Sequence, residues 1–405
     1  RKESSAASDV YKRQTMHRRN VVLSQMMRAE LIDRTAFDSL KTQPLGIEFQ
    51  RVDHKEGIAP YFREILRADL GKIFSEIDST TGELKYKKTN GKPYNIYKDG
   101  LRIYTTINSD MQKYAEWAMT KYLGEKLQKD FFRDLKKKKK NPFDWRVTDQ
   151  EVDQIINSSM RRTDRYNILV GVQCANCGRR GKYVSEVTEN GVNYFVCSAE
   201  DCLHKSRVTP KDSIDVIFNT PVPMTVFSWK GEIDTILSPI DSITYYKSFL
   251  QSGLMSMDPT TGYIKAWVGG INSKYFAYDH VAQGKRQVGS TFKPFMYAVA
   301  IDEGYSPCYE VPNVPVVFKK GEFGLLKDWE PLNSDPKDIG YNVTLKYGLA
   351  NSMNTVSSFL MKKFGPARVV KMARNLGIKN NLDPVPSLVL GVADLSVYEL
   401  SLIHI

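Results

Sequence analysis

Ser290 and Lys293 stand three residues apart at the mouth of an apolar run, in the stretch QVGSTFKPFMYAVAID from 287 to 302. A serine hydroxyl is a weak nucleophile unless a base takes its proton, and a lysine is a base only when its pKa is depressed. Burial against PFMYAVA disfavours the ammonium and lowers that pKa. If a helix begins near Gly289 or Ser290, the two side chains lie one turn apart on one face, and Pro294 falls in the first turn. The spacing therefore predicts an acylation site.

The tetrapeptide alone is a weak signal, because S-x-x-K occurs twice in this chain. The second match, Ser334 to Lys337, reads SDPK, and its central Asp-Pro predicts a turn. An ordinary helix cap at Ser290 with a solvated Lys293 is an equal alternative on the tetrapeptide alone. A second candidate cluster is Ser352-Met353-Asn354, which by itself fits a capped helix end.

Two predicted strands and a polar loop must place the first cluster. The stretch SGLMSMDPTTGYIKAWVGG, 252 to 270, alternates in polarity around a Pro-Thr-Thr-Gly turn and predicts a hairpin, after which a polar loop leads to Ser290. Upstream, DGLRIYTTIN at 99 to 108 alternates like a strand. The helical period that follows it indicates Ser109 or Asp110 as the cap.

Four cysteines form a separate candidate site: Cys174, Cys177, Cys197 and Cys202. A CxxC knuckle, a hairpin signalled by ENG and a second cysteine pair are how a zinc ribbon brings four thiolates to one ion. The second pair has four intervening residues, and His204 is an alternative ligand to Cys202. We expect structural zinc; disulfides in an oxidising compartment and free thiols remain the alternatives. Cys308 stands apart as a plain loop or core residue.

Length and composition bound the function without deciding it. With 405 residues, 41% of them hydrophobic, the chain is long enough to bury a core and to form two or three domains. Its net charge of +12 suits an anionic partner, and nucleic acid, anionic lipid and cell-wall polymer satisfy that charge equally. The sequence contains no apolar run of the length of a membrane span and shows no signal peptide.

The motifs in their context resemble one family. RQVGSTFKPF and the SMN within TLKYGLANSMNTVSSFLMKKFG look like the first and second active-site motifs of the penicillin-binding protein transpeptidases, which precede a third, K-T-G or K-S-G. DGLRIYTTINSDMQKYAEWAM is similar to the linker segment of the class A, bifunctional members. RRNVVLSQMMRAELIDRTAFDSLKTQPLGI is similar to the last helices of their glycosyltransferase domain. The resemblance covers most of 17 to 120 and 215 to 400.

The resemblance implies an α+β fold, in which an antiparallel sheet with helices forms a penicillin-binding/beta-lactamase-like transpeptidase domain. It assigns Ser290 as the acyl-forming nucleophile and Lys293 as its general base. Ser352 would relay a proton to the leaving group, and Asn354 would bind the substrate's peptide and steady Lys293. Backbone N–H groups, one of them from Ser290, would form the oxyanion hole, and the nucleophile helix would pack against the sheet.

The implied function is peptidoglycan cross-linking by acyl transfer from D-Ala-D-Ala stem peptides, with beta-lactams trapping the serine and no cofactor needed. The parent protein would also polymerise glycan from a lipid-linked precursor, at the periplasmic face of the bacterial inner membrane, held by an N-terminal anchor outside this chain. A serine beta-lactamase or beta-lactam sensor is one alternative. A zinc-ribbon nucleic-acid-binding module is another; it leaves both active-site motifs unexplained, so we expect no nucleic-acid partner.

Three features depart from the family pattern: Val288 stands where proline is common, no K-T-G or K-S-G follows Asn354, and the cysteine region looks like an insertion. We therefore expect a fragment that is poorly active or inactive, with an incomplete sheet. The predicted domains are a non-native or disordered start (1–14), a glycosyltransferase remnant (15–75), a linker region (76–245) with a zinc-ribbon-like insertion (170–205), and the N-terminal part of a transpeptidase domain (246–405).

Overall fold

The helical period near the N-terminus corresponds to two helices in the computed structural model, which describes residues 3–44, 57–200, 202–336, 338–401 and 403. They are α1 (Glu3–Arg28) and α2 (Arg34–Thr42), and they belong to the first of two compact units, residues 1–53 and 54–405. Asp33 caps α2 by accepting from the Ala36 N–H at 2.6 Å. Residues 3–14, within the start (1–14) that the sequence predicted to be non-native or disordered, form the first turns of α1.

The second unit begins with helices and short antiparallel sheets. Its first part comprises α3 (Pro60–Phe74), α4 (Ser109–Ala118), a π-helical stretch (Met119–Leu127), α5 (Gln128–Leu135), α6 (Asp149–Arg161), α7 (Asp164–Leu169), a three-stranded sheet of β1 (Val184–Glu189), β2 (Val192–Cys197) and β3 (Lys205–Arg207), α8 (Lys211–Asn219), the pair β4 (Val222–Ser228) and β5 (Gly231–Leu237), and α9 (Pro239–Lys247).

The second part of this unit carries both active-site motifs. It comprises β6 (Leu254–Met257), β7 (Ile264–Val268), β8 (Arg286–Gln287), a 3-10 turn (Gly289–Phe292), α10 (Lys293–Asp302), β9 (Glu310–Pro312), β10 (Asn342–Thr344), α11 (Leu345–Ala350), α12 (Asn354–Phe364), α13 (Pro366–Asn375), a 3-10 turn (Pro386–Leu390), β11 (Asp394–Leu395) and α14 (Val397–Ser401). All the described strand pairs are antiparallel, so the mixed helix and antiparallel-strand architecture is confirmed.

The predicted hairpin is β6 and β7, and a side chain of α4 forms hydrogen bonds to the backbone of β7. Gln112 is fully buried; its amide nitrogen donates to the Trp267 carbonyl at 2.9 Å, and its oxygen accepts from the Trp267 N–H at 2.7 Å. One glutamine therefore bonds both backbone groups of a strand residue, as a neighbouring strand would.

Two local predictions next to this hairpin are wrong. Residues 101–107 form no regular strand, although the Thr106 hydroxyl donates to the Ile264 carbonyl at 2.8 Å, so they run beside β7. The cap of α4 is Asn108, whose side chain accepts from the N–H groups of Asp110 and Met111, both at 3.0 Å. The side-chain oxygen of Asn108 satisfies these two N–H groups better than Ser109 or Asp110, which lie inside the first turn.

The main core surrounds α10 and is mainly helical, with single residues from β9, β10 and β11. Phe295, Met296 and Ala300 are completely buried, and α10 packs chiefly against α12 and α13. The expectation that this helix lies against the sheet is therefore wrong; β7 packs instead against α3 and α4, through residues that include Tyr61 and Trp267. The structural division falls after residue 53, within the predicted glycosyltransferase remnant (15–75), and that assignment stays a prediction.

Among the described helices, none has both the length and the apolar character that crossing a membrane requires.

Candidate functional site

The predicted nucleophile lies on a 3-10 turn that leads directly into α10. This turn spans Gly289–Phe292, and Pro294 occupies the first turn of the α-helix, where its missing N–H is tolerated. Because a 3-10 helix has three residues per turn, positions i and i+3 are eclipsed. Ser290 and Lys293 are therefore stacked along one face, with Ser290 exposed and Lys293 buried.

A backbone contact from a distant segment holds this turn. Strand β8 pairs with β11, and the ladder continues as Val288 N–H to Ala393 O at 3.2 Å and Gly289 N–H to Gly391 O at 3.0 Å. A Cβ atom on Gly391 would lie 1.9 Å from the Gly289 carbonyl oxygen, and Gly391 has φ +74°. Only glycine fits there, and sequence reasoning missed this position because nothing local marks it.

Lys293 is fully buried, and its Nζ atom reaches the second motif. It donates to the Ser352 carbonyl at 2.6 Å, to the Ser352 hydroxyl at 3.0 Å and to Asn354 Oδ1 at 2.7 Å. Burial lowers the pKa of this amine from 10.5 to about 8. A general base must be neutral in part of the molecules near physiological pH, and the lowered pKa allows this. The alternative of a solvated Lys293 is therefore wrong.

Ser352 sits in a backbone conformation that usually belongs to glycine. Its φ is +52°, and it ends α11 in a Schellman motif, with Ser352 N–H bonded to Leu349 O at 3.0 Å and Met353 N–H to Gly348 O at 2.8 Å. A left-handed serine costs about 1–2 kcal/mol. The turn directs both the carbonyl and the hydroxyl of Ser352 to the Lys293 amine.

Asn354 is the first residue of α12, and each of its polar groups has a defined partner. Its Nδ2 donates to the Leu332 carbonyl at 2.8 Å, its Oδ1 accepts from Lys293, and its backbone N–H donates to Asn333 Oδ1 at 2.7 Å. The alternative of a capped helix end holds for Ser352, which lies at the capped end of α11, whereas Asn354 is capped by Asn333 and caps no helix itself. Asn333 was missed from sequence because β10 and α11 separate it from α12 in the chain.

Ser290, Ser352 and Asn354 line one cavity of about 240 Å³. Its wall also contains Asn333, Ser334, Asp335, Asp338, Tyr347, Asn351 and Met353. The Tyr347 hydroxyl donates to Asp338 Oδ2 at 2.8 Å. The cavity exposes Ser290 and is also lined by the serine and the asparagine that hold the buried amine of Lys293, and such a set of groups suits nucleophilic acyl transfer. Ser334 of the second S-x-x-K match lies in a bend at this wall, and Lys337 is outside the described residues.

The four cysteines converge in space. Cys174 Sγ lies 3.7 Å from Cys202 Sγ, Cys177 Sγ lies 3.6 Å from Cys197 Sγ, and the four sulfurs are all within 4.8 Å of one another. Four thiolates about 2.3 Å from a central zinc ion would be about 3.8 Å apart. His204 is not among the converging ligand groups. The cluster has the ligand types and spacing to hold a metal ion.

Comparison with protein families assigns the two C-terminal regions. Residues 253–385 match the model of the penicillin-binding protein transpeptidase domain, and residues 203–250 match that of the penicillin-binding protein middle domain. The first match contains Ser290, Lys293 and the second motif. The transpeptidase fold predicted from the motifs is therefore confirmed.

Relatives of similar type extend along nearly the whole chain. It is 25% identical over 399 residues to "Penicillin-binding protein 1A" of Aquifex aeolicus, covering 95% of this chain and 45% of that protein. It is also 25% identical over 392 residues to the protein of the same name from Escherichia coli, covering 93% and 41%. The crystal structure of penicillin-binding protein 1A from Haemophilus influenzae overlaps with a TM-score of 0.48 and 20% identity, over 96% of this chain and 51% of that one.

The chain thus spans somewhat less than half the length of the curated relatives it matches. The resemblance to class A penicillin-binding proteins, predicted from the motifs, is confirmed by the curated relatives and the match to the transpeptidase domain. They lend no support to a beta-lactamase, a beta-lactam sensor or a nucleic-acid-binding module.

Proposed function

We propose that this chain, which carries a class A penicillin-binding protein transpeptidase domain, supplies the acylation site for peptidoglycan cross-linking. The observation that carries the proposal is the fully buried Lys293, with its amine bonded to Ser352 and Asn354 beside the cavity that exposes Ser290. Such a constellation has a nucleophile, a base with a lowered pKa, and groups that orient the base. Transpeptidation by this chemistry needs no cofactor.

The proposed acylation step forms one bond and breaks another. Ser290 Oγ attacks the carbonyl of the penultimate D-alanine in a stem peptide while its proton passes to the neutral amine of Lys293. The C–N bond to the terminal D-alanine then breaks, and the proton returns to the departing amine through the Ser352 hydroxyl, which lies 3.0 Å from Lys293 Nζ. The acyl group remains on Ser290 as an ester.

The second step transfers the acyl group. A primary amine of a neighbouring stem peptide attacks the ester, loses a proton to the site and releases Ser290. A beta-lactam enters the same first step, but its ring opens without losing a fragment, so the ester persists. Asn354 is oriented for this chemistry by its bonds to Leu332 and Lys293, and we assign it to the substrate's peptide as well.

The wider setting follows from the relatives and is part of the proposal. The parent protein would polymerise glycan strands from a lipid-linked precursor and cross-link them at the periplasmic face of the bacterial inner membrane, where a separate segment would anchor it. A basic chain with a net charge of +12 suits an anionic polymer there. We further propose that this chain, without a K-T-G or K-S-G after Asn354, acylates slowly.

Labelling with a fluorescent penicillin tests the site assignment. We expect slow covalent labelling of the wild-type chain and none of Ser290→Ala. The matched control is Ser334→Ala, since Ser334 lines the same cavity and starts the other S-x-x-K match. Labelling that persists in Ser290→Ala, or is lost in Ser334→Ala instead, would overturn the assignment.

We also propose that the four cysteines hold one structural zinc ion. Their mutual distances favour one tetrahedral ion over two disulfides, whose sulfurs would be about 2.05 Å apart. The buried core at this site is small, consisting of Cys174, Cys197 and Ala199 with Val184 and Cys202 packed against it. So small a core needs a metal or a cross-link to be stable.

Metal content tests the zinc proposal. We expect one zinc ion per chain after purification in zinc-containing buffer, and loss of that ion in Cys177→Ser. Cys308→Ser is the control, because Cys308 is an exposed cysteine outside the cluster. A zinc-free protein with two disulfides in non-reducing peptide mapping would refute the zinc site.

A further inference from the structure

A buried polar network lies beneath the second active-site motif. Asn313 and Thr355 are completely buried, and the Thr355 hydroxyl donates to Asn313 Oδ1 at 2.5 Å. The half-buried Asn333 joins them by donating from Nδ2 to the same Asn313 oxygen at 3.0 Å. Buried amides and hydroxyls are stabilising only when their hydrogen bonds are satisfied, so such a network specifies one arrangement.

The network replaces a cap that the sequence of α12 lacks. The residue before this helix is Met353, whose side chain makes no capping hydrogen bond. Asn333 Oδ1 instead accepts from the N–H groups of Asn354 at 2.7 Å and Thr355 at 3.1 Å. These are two of the N–H groups that a helix leaves unpaired at its start. A side chain from a loop about twenty residues upstream therefore ends the helix.

The same loop is fixed to the cavity wall through Asn313. Asn313 Nδ2 donates to the Asp338 carbonyl at 2.7 Å, its N–H donates to the Tyr341 carbonyl at 2.9 Å, and its carbonyl accepts from the Gly340 N–H at 2.9 Å. Both ends of the 313–341 loop are thereby tied to one asparagine. Asn333, within the loop, is held at a fixed distance from α12.

We infer that Asn333 is a positioning residue of the acylation site, acting through Asn354 to hold the Lys293 amine; this inference rests on the proposed transpeptidase function. The chain of contacts is continuous: Asn333 Oδ1 to Asn354 N–H at 2.7 Å, and Asn354 Oδ1 to Lys293 Nζ at 2.7 Å. Asn354 also donates to the carbonyl of Leu332, the neighbour of Asn333. Loss of Asn333 would free the start of α12 to shift, and with it the acceptor of the Lys293 amine.

The test compares two variants of the full chain, each of which removes the side-chain cap of one helix. Asn333→Ala removes the cap of α12, and Asn108→Ala removes the side-chain cap of α4, which also accepts from two helix N–H groups. We expect similar losses of thermal stability. Only Asn333→Ala should slow beta-lactam acylation, by about ten- to a hundredfold, because displaced reacting groups lose that much.

A second readout does not depend on activity. The Lys293 side-chain NMR signal, assigned by its loss in Lys293→Met, reports the protonation of the amine. The other titratable side chains on the cavity wall are Asp335, Asp338 and Tyr347, and all three stay unchanged in the variants. We expect the midpoint of the Lys293 titration to move in Asn333→Ala and to stay in place in Asn108→Ala.

Asn333→Asp guards against simple misfolding, because a carboxylate keeps an acceptor for both N–H groups of α12. Its negative charge should raise the titration midpoint of Lys293 and shift the acylation profile to higher pH. The inference is overturned if Asn333→Ala and Asn333→Asp leave both the Lys293 midpoint and the acylation rate at the Asn108→Ala values. Absence of acylation in the wild type would instead overturn the proposed function. The NMR titration of Lys293 would still test whether Asn333 positions the amine.

Discussion

Burial of Lys293 both destabilises the folded state and prepares its amine for the proposed role as a base. Its side chain is completely buried, so the ammonium loses its contact with water, and hydrogen bonds to Ser352 and Asn354 take the place of that water. The same burial lowers the pKa of the amine to about 8. At pH 7 about a tenth of the chains would hold the neutral amine.

Acylation by a beta-lactam should therefore depend on pH with the profile of this amine. Because the base is the deprotonated form, the rate should rise about tenfold per pH unit below pH 8 and level off above it. The acylation rate at each pH is measured by labelling with a fluorescent penicillin and quenching the reaction at a series of times. A rate that is constant from about pH 6 to 9 would contradict Lys293 as the base.

Ser352 should show a trade-off between stability and reactivity. Glycine suits its φ of +52°, so Ser352→Gly should be as stable as the wild type or more stable by up to about 1 kcal/mol. The variant lacks the hydroxyl that bonds Lys293, so acylation should fall by about a hundredfold or more. Chemical denaturation and labelling rates give the two values, and a variant that keeps its acylation rate would contradict the relay role.

At the scale of elements, the nucleophile turn depends on the ribbon between residues 286–289 and 391–395. Gly391→Ala places a methyl group 1.9 Å from the Gly289 carbonyl oxygen, so the ribbon must open and Ser290 must move. We expect a loss of several kcal/mol of stability and of most acylation. Gly304→Ala is the matched control, because Gly304 has φ +88° with open space around its Cα.

Circular dichroism melts and penicillin labelling of the two glycine variants separate backbone strain from the clash. Gly304→Ala should lose about 1 kcal/mol from strain alone and acylate at the wild-type rate. Equal behaviour of the two variants would show that the contact between Gly391 and Gly289 does not hold the turn.

The sequence correctly predicted elements that short-range polarity patterns and turn residues specify. The β6–β7 hairpin, the β1–β2 hairpin at Asn190-Gly191 and the helix that follows Ser290 were all visible in polarity and turn residues. The structure also brings Lys293, Ser352 and Asn354 together, as the motif resemblance predicted, while their catalytic roles stay proposals.

The remaining features depend on contacts between distant residues. Asn333 caps α12 from about twenty residues upstream, with β10 and α11 between them in the chain, and Gly391 contacts a turn about a hundred residues earlier. Neither has a local signature, since an asparagine in a loop and a glycine after an apolar stretch have many possible roles. The strand predicted at 99–108 is not formed for a related reason. Alternating polarity gives a strand only where a neighbouring strand pairs with it along its length, and residues 101–107 form no regular strand.

At the scale of the whole molecule, the chain has several separate cores. The cluster around α10 contains residues of α10 to α13, whereas the cysteine cluster packs only a few small side chains of its own. Sites built on separate cores respond independently to a local perturbation. The predicted assignment of residues 15–75 and 76–245 to glycosyltransferase and linker domains stays a prediction.

Removing zinc should therefore loosen the region around the cysteine cluster and leave the acylation site unchanged. We expect a strong chelator to raise hydrogen exchange across residues 171–208, because the small core there loses its central ion. Penicillin labelling of the chelated protein should match that of the untreated protein. Loss of labelling in parallel with the rise in exchange would show that the two sites are coupled.

The most direct measurement of the central claim is the location of the covalent adduct. The wild-type chain is incubated to completion with a penicillin at high pH, digested and mapped by mass spectrometry. We predict a single adduct on Ser290, formed far more slowly in Lys293→Met. An adduct on another residue, no adduct at all, or an unchanged rate in Lys293→Met would contradict a serine made reactive by a buried lysine.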